Sequence, residues 1–217
     1  MSGAEPERPD SFSLWMNLVP AAWLGTGAAL AARLGDGVGG ALLVGLAWLY
    51  LATPLAGRLI LIGFGRPEGS FTQDQGGYRV WWALTQLQMP FNRVPLLEEL
   101  LRLVPGLYAL WIAIWGGRLS PFAFVAPGVV ITDRYLVRVG RRAVLGYRST
   151  LAGHMAVRNE EGRWLAVVAG PTVGESAILG GDSGLGPGAR LLEGAMLPTG
   201  RRVGPFDQWP RQTRDAA

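Results

Sequence analysis

The chain carries one histidine, His154, and no cysteine. An imidazole has an ordinary pKa close to neutrality, so it can take a proton from a hydroxyl or an amine at physiological pH. Without cysteine there are no disulfides, no thiolate metal sites and no cysteine nucleophile. A zinc site built on three histidines is equally out of reach, and no metal is expected. His154 follows Gly153 and opens an excursion, His154 to Pro171, in an otherwise regular stretch of sequence. Within it, Asn159-Glu160-Glu161-Gly162 reads as a turn between Val157 and the apolar run Trp164-Leu165-Ala166-Val167-Val168. Asn159 and Glu160 offer a second partner for the imidazole or a contact to a substrate. Asp133 is the candidate to orient the ring, as a carboxylate does toward a histidine base. The plainer alternatives are a surface loop histidine and a turn-forming aspartate.

These residues need a scaffold, and the scaffold is written in sixes. Val173, Leu179, Leu185, Leu191, Leu197 and Val203 are aliphatic at a constant spacing of six, and the residues after them are Gly174, Gly180, Gly186, Leu192, Pro198 and Gly204. A helix would return apolar residues every three or four positions and a half-buried strand every two. A period of six fits a parallel β-helix whose short strands are joined by tight turns, one aliphatic residue per block entering a continuous stack. Glycine after each aliphatic residue is expected to supply the turn geometry. The same rhythm appears in Val125-Ala126, Ile131-Thr132, Val139-Gly140, Leu145-Gly146 and Leu151-Ala152, with a slip of two between Ile131 and Val139. If one coil is three blocks plus that slip, Ile131 lies beneath Leu151. Asp133 and Arg134 then lie one strand spacing below Gly153 and His154.

Two uncharged stretches precede the repeats, Phe12 to Ala32 and Val38 to Gly57, each close to the roughly 20 residues a helix needs to cross a bilayer. With Arg33-Leu34-Gly35-Asp36-Gly37 between them they read as a transmembrane helical hairpin. Ala21, Gly25 and Ala29 on one helix and Ala41 and Gly45 on the other would allow close packing. Trp15 and Trp48-Leu49-Tyr50 suit the headgroup level. Arg58, Arg66, Arg79 and Arg93 lie beyond the second helix, which puts the remainder of the chain on the cytoplasmic side of an inner membrane. All 20 basic residues are arginine, and the net charge of +4 is dispersed. Anionic membrane lipid is therefore the expected partner, and nucleic acid is not. The start lacks the basic region of a secretory signal. Leu103 to Gly117 is apolar but short and contains Pro105. It is either an interfacial or re-entrant helix or a helix packed on the open end of the coil.

The expected organisation is a disordered terminus (1–11), the transmembrane hairpin (12–57), a connecting loop with amphipathic, interfacial helices (58–117), the hexapeptide-repeat β-helix (118–205) and a C-terminal tail (206–217).

Val125-Ala126-Pro127-Gly128-Val129-Val130-Ile131-Thr132-Asp133, followed by Tyr135-Leu136-Val137, Val139-Gly140, Leu145-Gly146, Gly153-His154 and, past the excursion, Val173-Gly174, resembles the hexapeptide-repeat acyltransferases. With hydrophobic segments ahead of the coil and Trp115-Gly116-Gly117-Arg118-Leu119 at its entry, the order is similar to the membrane-embedded C-terminal region of certain non-ribosomal-peptide-synthetase-like proteins. The resemblance covers about residues 58 to 204. It implies a left-handed parallel β-helix, a homotrimer, and acetyl-CoA or another acyl-CoA as donor. It also implies a catalytic base at His154, beside which the register sets Asp133 and the excursion offers Asn159 and Glu160 as acceptor contacts. The expectation is a membrane-anchored acyltransferase, acetyl-transferring, acting on a hydroxyl or amine of a lipid-linked, envelope or secondary-metabolite acceptor. The glycine-laden Gly180 to Gly188 stretch and the missing Gly-x-Pro-Ala ending depart from the family pattern. The alternative is a non-catalytic trimeric β-helix that serves as a scaffold or assembly module at the membrane.

Overall fold

The computed structural model describes residues 8–211. Met1 to Glu7 of the expected disordered terminus and residues 212–217 of the tail lie outside the described residues. The described residues fall into two compact units, 8–90 with 157–166, and 91–156 with 167–211.

The first unit opens with α1 (Ser11–Met16), capped by Asp10, whose Oδ1 accepts from Ser13 N at 2.8 Å. It continues through α2 (Val19–Leu34), then α3 (Gly37–Ala47), a π-helical turn (Trp48–Ala52) and α4 (Thr53–Phe64). Taken as continuous rods, Ser11–Leu34 and Gly37–Phe64 are 24 and 28 residues long, and both are long and apolar enough to cross a membrane. The second rod runs past Gly57, the end expected from hydropathy. Gly57 is buried inside the helix, and the chain leaves helical geometry only at Gly65, φ +81°.

The packing inside this hairpin also differs from expectation. Ala21, Gly25 and Ala29 are exposed, and a Cβ on Gly25 or Gly45 would meet nothing. The close approach is at Gly27, where any side chain would collide with the Trp48 ring. Trp48 stacks on Trp23 with ring centroids 4.5 Å apart, its indole N–H donates to Trp23 O at 2.9 Å, and Trp23 donates to Thr53 Oγ1 at 2.8 Å. Trp48 is thus a wedge between helices. In the π turn, Trp48 O accepts both the Thr53 backbone N–H and, at 3.0 Å, the Thr53 hydroxyl.

After strand β1 (Gly69–Phe71), α5 (Gly76–Arg93) lies along α1. Ser13 Oγ is 3.1 Å from Tyr78 OH, and Gln86 donates to Asn17 Oδ1 at 3.2 Å. Strands β8 (His154–Arg158) and β9 (Trp164–Val168) form the excursion and join β1 in a three-stranded sheet ordered β1-β9-β8.

The second unit is a parallel β-solenoid of about five turns. Among the described residues, its two-residue strands stack in three columns. The first is β2 (Arg118–Leu119), β5 (Arg138–Val139), β10 (Thr172–Val173), β13 (Arg190–Leu191) and β16 (Gln208–Trp209). The second is β3 (Phe124–Val125), β6 (Val144–Leu145), β11 (Ile178–Leu179) and β14 (Met196–Leu197), and the third is β4 (Val130–Ile131), β7 (Thr150–Leu151), β12 (Gly184–Leu185) and β15 (Arg202–Val203). The solenoid therefore extends beyond residue 205: β16 pairs with β13 within the segment expected to be tail. The six aliphatic residues from Val173 to Val203 are all buried in the stack.

Glycine's part in the ladder is not the one expected. Left-handed backbone recurs every six residues at Ser176, Asp182, Gly188, Gly194, Gly200 and Phe206, three positions after each aliphatic residue. Gly140, Gly146, Gly174 and Gly180, directly after aliphatic residues, serve stacking. A Cβ on Gly174 would lie 2.5 Å from Glu193 N, and one on Gly146 would lie 2.6 Å from Gly181 N in the next coil.

Helices α6 (Leu96–Arg102) and α7 (Leu107–Trp115) belong to this unit. Helix α7 packs on the first coil, burying Tyr108, Trp111, Ile112 and Trp115, and Gly117 leaves space for Arg134 O, into which a Cβ would run. Of the two sequence alternatives for Leu103 to Gly117, this is the helix on the open end of the coil.

Candidate functional site

Strand β7 lies over β4 with Ile131 opposite Leu151 and Val130 opposite Thr150, the register expected from three blocks plus the slip. Immediately past these strands the two backbones carry Asp133 and Gly153-His154. The three side-chain groups Thr132, Asp133 and His154 form one hydrogen-bonded chain. Thr132 Oγ1 accepts from Gly153 N at 3.0 Å and donates to Asp133 Oδ2 at 2.6 Å, and the same Oδ2 faces His154 Nδ1 at 2.7 Å. The carboxylate is an acceptor, so Nδ1 carries the proton and the lone pair of the neutral ring is on Nε2, pointing away from Asp133.

Asp133 is 1% exposed and the His154 side chain 29%, so the orienting group is dry and the base reaches solvent. Among the described residues, Asp133 Oδ1 is buried with no hydrogen-bond partner, which leaves the negative charge poorly compensated and strengthens its pull on a protonated imidazole. Gly153 makes the approach possible. A Cβ there would lie 2.7 Å from both Cβ and Oδ2 of Asp133.

Arg134 does not join His154. Its guanidinium enters a buried cluster, donating from Nε to Glu98 Oε1 at 2.7 Å, from Nη2 to the same oxygen, and from Nη1 to Asn92 Oδ1 at 2.9 Å. Glu98 Oε2 accepts from Tyr108 OH at 2.5 Å and Arg102 Nη2 at 3.0 Å. Burial, and then the charge of Glu98, push the Tyr108 hydroxyl far above its ordinary pKa, which keeps it a proton donor to that carboxylate. Arg102 also donates to Val129 O at 3.0 Å, and Glu99 Oε1 accepts from Gly128 N at 2.9 Å. The cluster thus holds the first coil on both sides of Ile131, and with it the backbone bearing Asp133. No sequence motif pointed to it beyond the helical spacing of Glu98 and Arg102.

Asn159 and Glu160 lie in the turn of the excursion, in the stretch that belongs to the first unit. Asn159 Oδ1 accepts from Arg163 N at 2.8 Å and its backbone closes the hairpin. Glu160 is exposed. Arg163 in turn donates to Asp74 at 2.9 Å.

His154 opens onto a groove of about 340 Å³ along the third column, walled by Met155, Leu185, Pro187 and Pro205. Sequence reasoning missed how it forms. In that column the first residues of successive strands are Val130, Thr150, Gly184 and Arg202, and the Arg202 guanidinium lies over the buried Gly184, its Nη1 3.4 Å from where a Cβ would stand. Arg202 is exposed at the groove and, among the described residues, has no carboxylate within ion-pair distance.

Burial acts to lower the His154 pKa, but the hydrogen bond and the charge of Asp133 raise it, and the net value lies above the ordinary 6.5. The folded-state value exceeds the unfolded one, so the pair's stabilisation is fully present below about 6.5 and is lost as pH rises through the raised value. Replacement Asp133→Asn is expected to flatten thermal stability across that interval. It also moves the acidic limb of any His154-dependent rate to lower pH, because burial alone then acts on the ring. An asparagine amide donating to Nδ1 would move the proton to Nε2, so the plateau rate should fall as well. Melting temperatures and rates measured from pH 5 to 9 on both proteins check this. Unchanged profiles would separate the two residues functionally.

No protein-family model matches the sequence, and no curated protein matches it. Among solved structures, it is similar to the serine acetyltransferase isoform 3 of Entamoeba histolytica in complex with cysteine (11% identity, 94% of this chain and 84% of that one, TM-score 0.27). It is similar also to the serine acetyltransferase of Neisseria gonorrhoeae in complex with serine (13% identity, 92% and 94% covered, TM-score 0.23). A third is a serine acetyltransferase in complex with CoA (14% identity, 86% and 82% covered, TM-score 0.24).

Proposed function

We propose that the chain is a membrane-anchored acyltransferase that moves an acyl group, acetyl in the first instance, from a CoA-type thioester to a hydroxyl or amine. The observation that carries this reading is the buried Asp133 holding Nδ1 of His154 at 2.7 Å while the ring borders a groove. In the reaction, the acceptor's oxygen or nitrogen attacks the thioester carbonyl as His154 Nε2 takes its proton. The tetrahedral intermediate then collapses, the C–S bond breaks, and the imidazolium returns the proton to the departing sulfur, leaving a thiol and an ester or amide. Asp133 stays ionised and steadies the imidazolium between the two steps.

The groove suits the donor. It is mostly apolar and has the Arg202 cation at one wall, which fits a slender thioester arm ending in phosphates. Membrane placement is supported by the two apolar rods, and Arg58, Arg66, Arg79 and Arg93 favour the cytoplasmic side. The homotrimer belongs to the same reading. The outward column Phe124, Val144, Ile178 and Met196 is an apolar surface on which copies of the solenoid can pack.

The test uses the full chain purified in detergent and a panel of acyl-CoAs. A true donor binds the native state and raises its melting temperature, by the equivalent of about 2.7 kcal/mol at a hundred times its Kd. It should also release free thiol when a hydroxyl or amine acceptor is added. A panel that neither shifts melting nor yields thiol removes the acyltransferase reading and leaves the scaffold.

A further inference from the structure

The first unit contains an open cleft of about 750 Å³ that the acyl-transfer chemistry does not use. Its walls are Phe12 from α1, Ile60 and Phe64 from α4, Phe71 from β1, and Val80 and Ala83 from α5. The lining is overwhelmingly apolar, and the volume is that of a small-molecule site. It is also sculpted. Gly77 has no side chain where the Phe71 ring lies, and a Cβ there would collide with it.

The rim has a different character. Arg66, Glu68 and Arg79 stand at it, with Asp10 close to Arg79. Arg79 is exposed, its guanidinium lies 5.5 Å from the centre of the Phe12 ring, and among the described residues no carboxylate oxygen is within 4.0 Å of it. Asp10 is the nearby acid, and its carboxylate is committed to capping α1 through Ser13 N. The cleft opens at the end of α4, whose outer residues Leu59, Ile62 and Phe64 are 67%, 71% and 76% exposed. An apolar trough, continuous with a helix long and apolar enough to cross a bilayer and ending at a rim that carries the exposed Arg79 guanidinium, matches one occupant on each count. That occupant is a lipid with a hydrocarbon chain and an anionic head.

We infer that this cleft holds one acyl chain of an anionic membrane phospholipid, with its phosphate head read by Arg79. The occupant lies at the end of the hairpin, where chain and head meet the rim at the depth of the membrane interface. This inference rests on the membrane placement proposed above and not on acyl transfer.

The experiment is native mass spectrometry of the full chain released from detergent, titrated with phosphatidylglycerol or phosphatidylcholine of identical chains. One tightly retained phosphatidylglycerol is expected, preferred about fivefold over phosphatidylcholine, the preference that one arginine near a membrane surface supplies. Arg79→Gln, a surface change, should erase that preference while retaining a lipid. Ala83→Trp should fill the trough and expel the retained lipid whatever its head, with an unchanged melting temperature confirming that the fold persists. A membrane-resident chain whose lipid retention and preference ignore both substitutions overturns the cleft assignment alone. A chain that partitions into the aqueous phase without detergent overturns the membrane placement and the cleft with it. Neither readout involves thiol release, so failure of the acyltransferase reading is seen separately.

Discussion

His154→Ala is expected to lower the rate of thiol release from an acyl-CoA by about 10²–10⁴-fold, the usual contribution of a positioned general base. The fold should survive. The imidazole is partly exposed at the rim of the solenoid, outside the aliphatic stack, and its partner Asp133 keeps the hydrogen bond from Thr132. What the variant loses is the imidazole beside the groove, together with the pH dependence that group brings. In the wild type the rate should climb as the imidazole loses its proton, over an interval above the ordinary 6.5 because of Asp133. In the alanine variant the residual rate should lack that limb, and added imidazole should restore part of it. Full activity in a folded His154→Ala protein would remove the catalytic claim and favour the scaffold.

The second large effect is on stability. Glu98→Ala should destabilise the protein by about 3–5 kcal/mol, the range for breaking a buried ion pair by removing one partner. Glu98 is 4% exposed and accepts from Arg134, Arg102 and Tyr108 together. Its loss takes a carboxylate from two guanidinium groups whose side chains are 2% and 8% exposed, of which Arg102 keeps Glu99 Oε1 at 2.7 Å. Arg134 also sits over the Phe91 and Trp111 rings, at 5.6 and 5.8 Å, so it cannot swing to solvent without opening the packing of α7 on the first coil. Thermal melting of the full chain in detergent, followed by the strand signal and by tryptophan fluorescence, checks this. A drop below about 1 kcal/mol would mean that water reaches the cluster. Because Arg134 adjoins Asp133, some loss of acyl transfer in a surviving Glu98→Ala fraction is expected too.

Much of the second unit is legible in the sequence. A period of six cannot be helix or plain strand, and the two-residue slip between Ile131 and Val139 is enough to stack Leu151 over Ile131. From that register the nearness of Asp133 to His154 follows, because residues at equal offsets from paired strands sit one strand spacing apart. Helical length and hydropathy likewise mark the two rods of the first unit.

Other features cannot be read one position at a time. The glycines of the ladder are expected at turns, yet they are small because a neighbouring coil approaches them, and that neighbour is 18 residues further along at Gly174–Leu192. Gly27 against Trp48 is the same kind of fact, a close approach set by how two rods rotate about their axes, and hydropathy carries no information on rotation. The solenoid's end past residue 205 escapes a sequence reading because Gln208-Trp209 does not look like an aliphatic block, though Trp209 takes the place over Leu191.

What the sequence by itself determined is therefore the repeat, its register, the two apolar rods and the pairing of one histidine with one aspartate. All of these depend on spacing along the chain. Only the tertiary structure decided that α7 packs on the coil, that Glu98 gathers Arg102, Tyr108 and Arg134, and that a groove lies beside His154. Those depend on which surfaces meet across long separations, where burial and charge compensation choose among partners that the local sequence leaves equivalent.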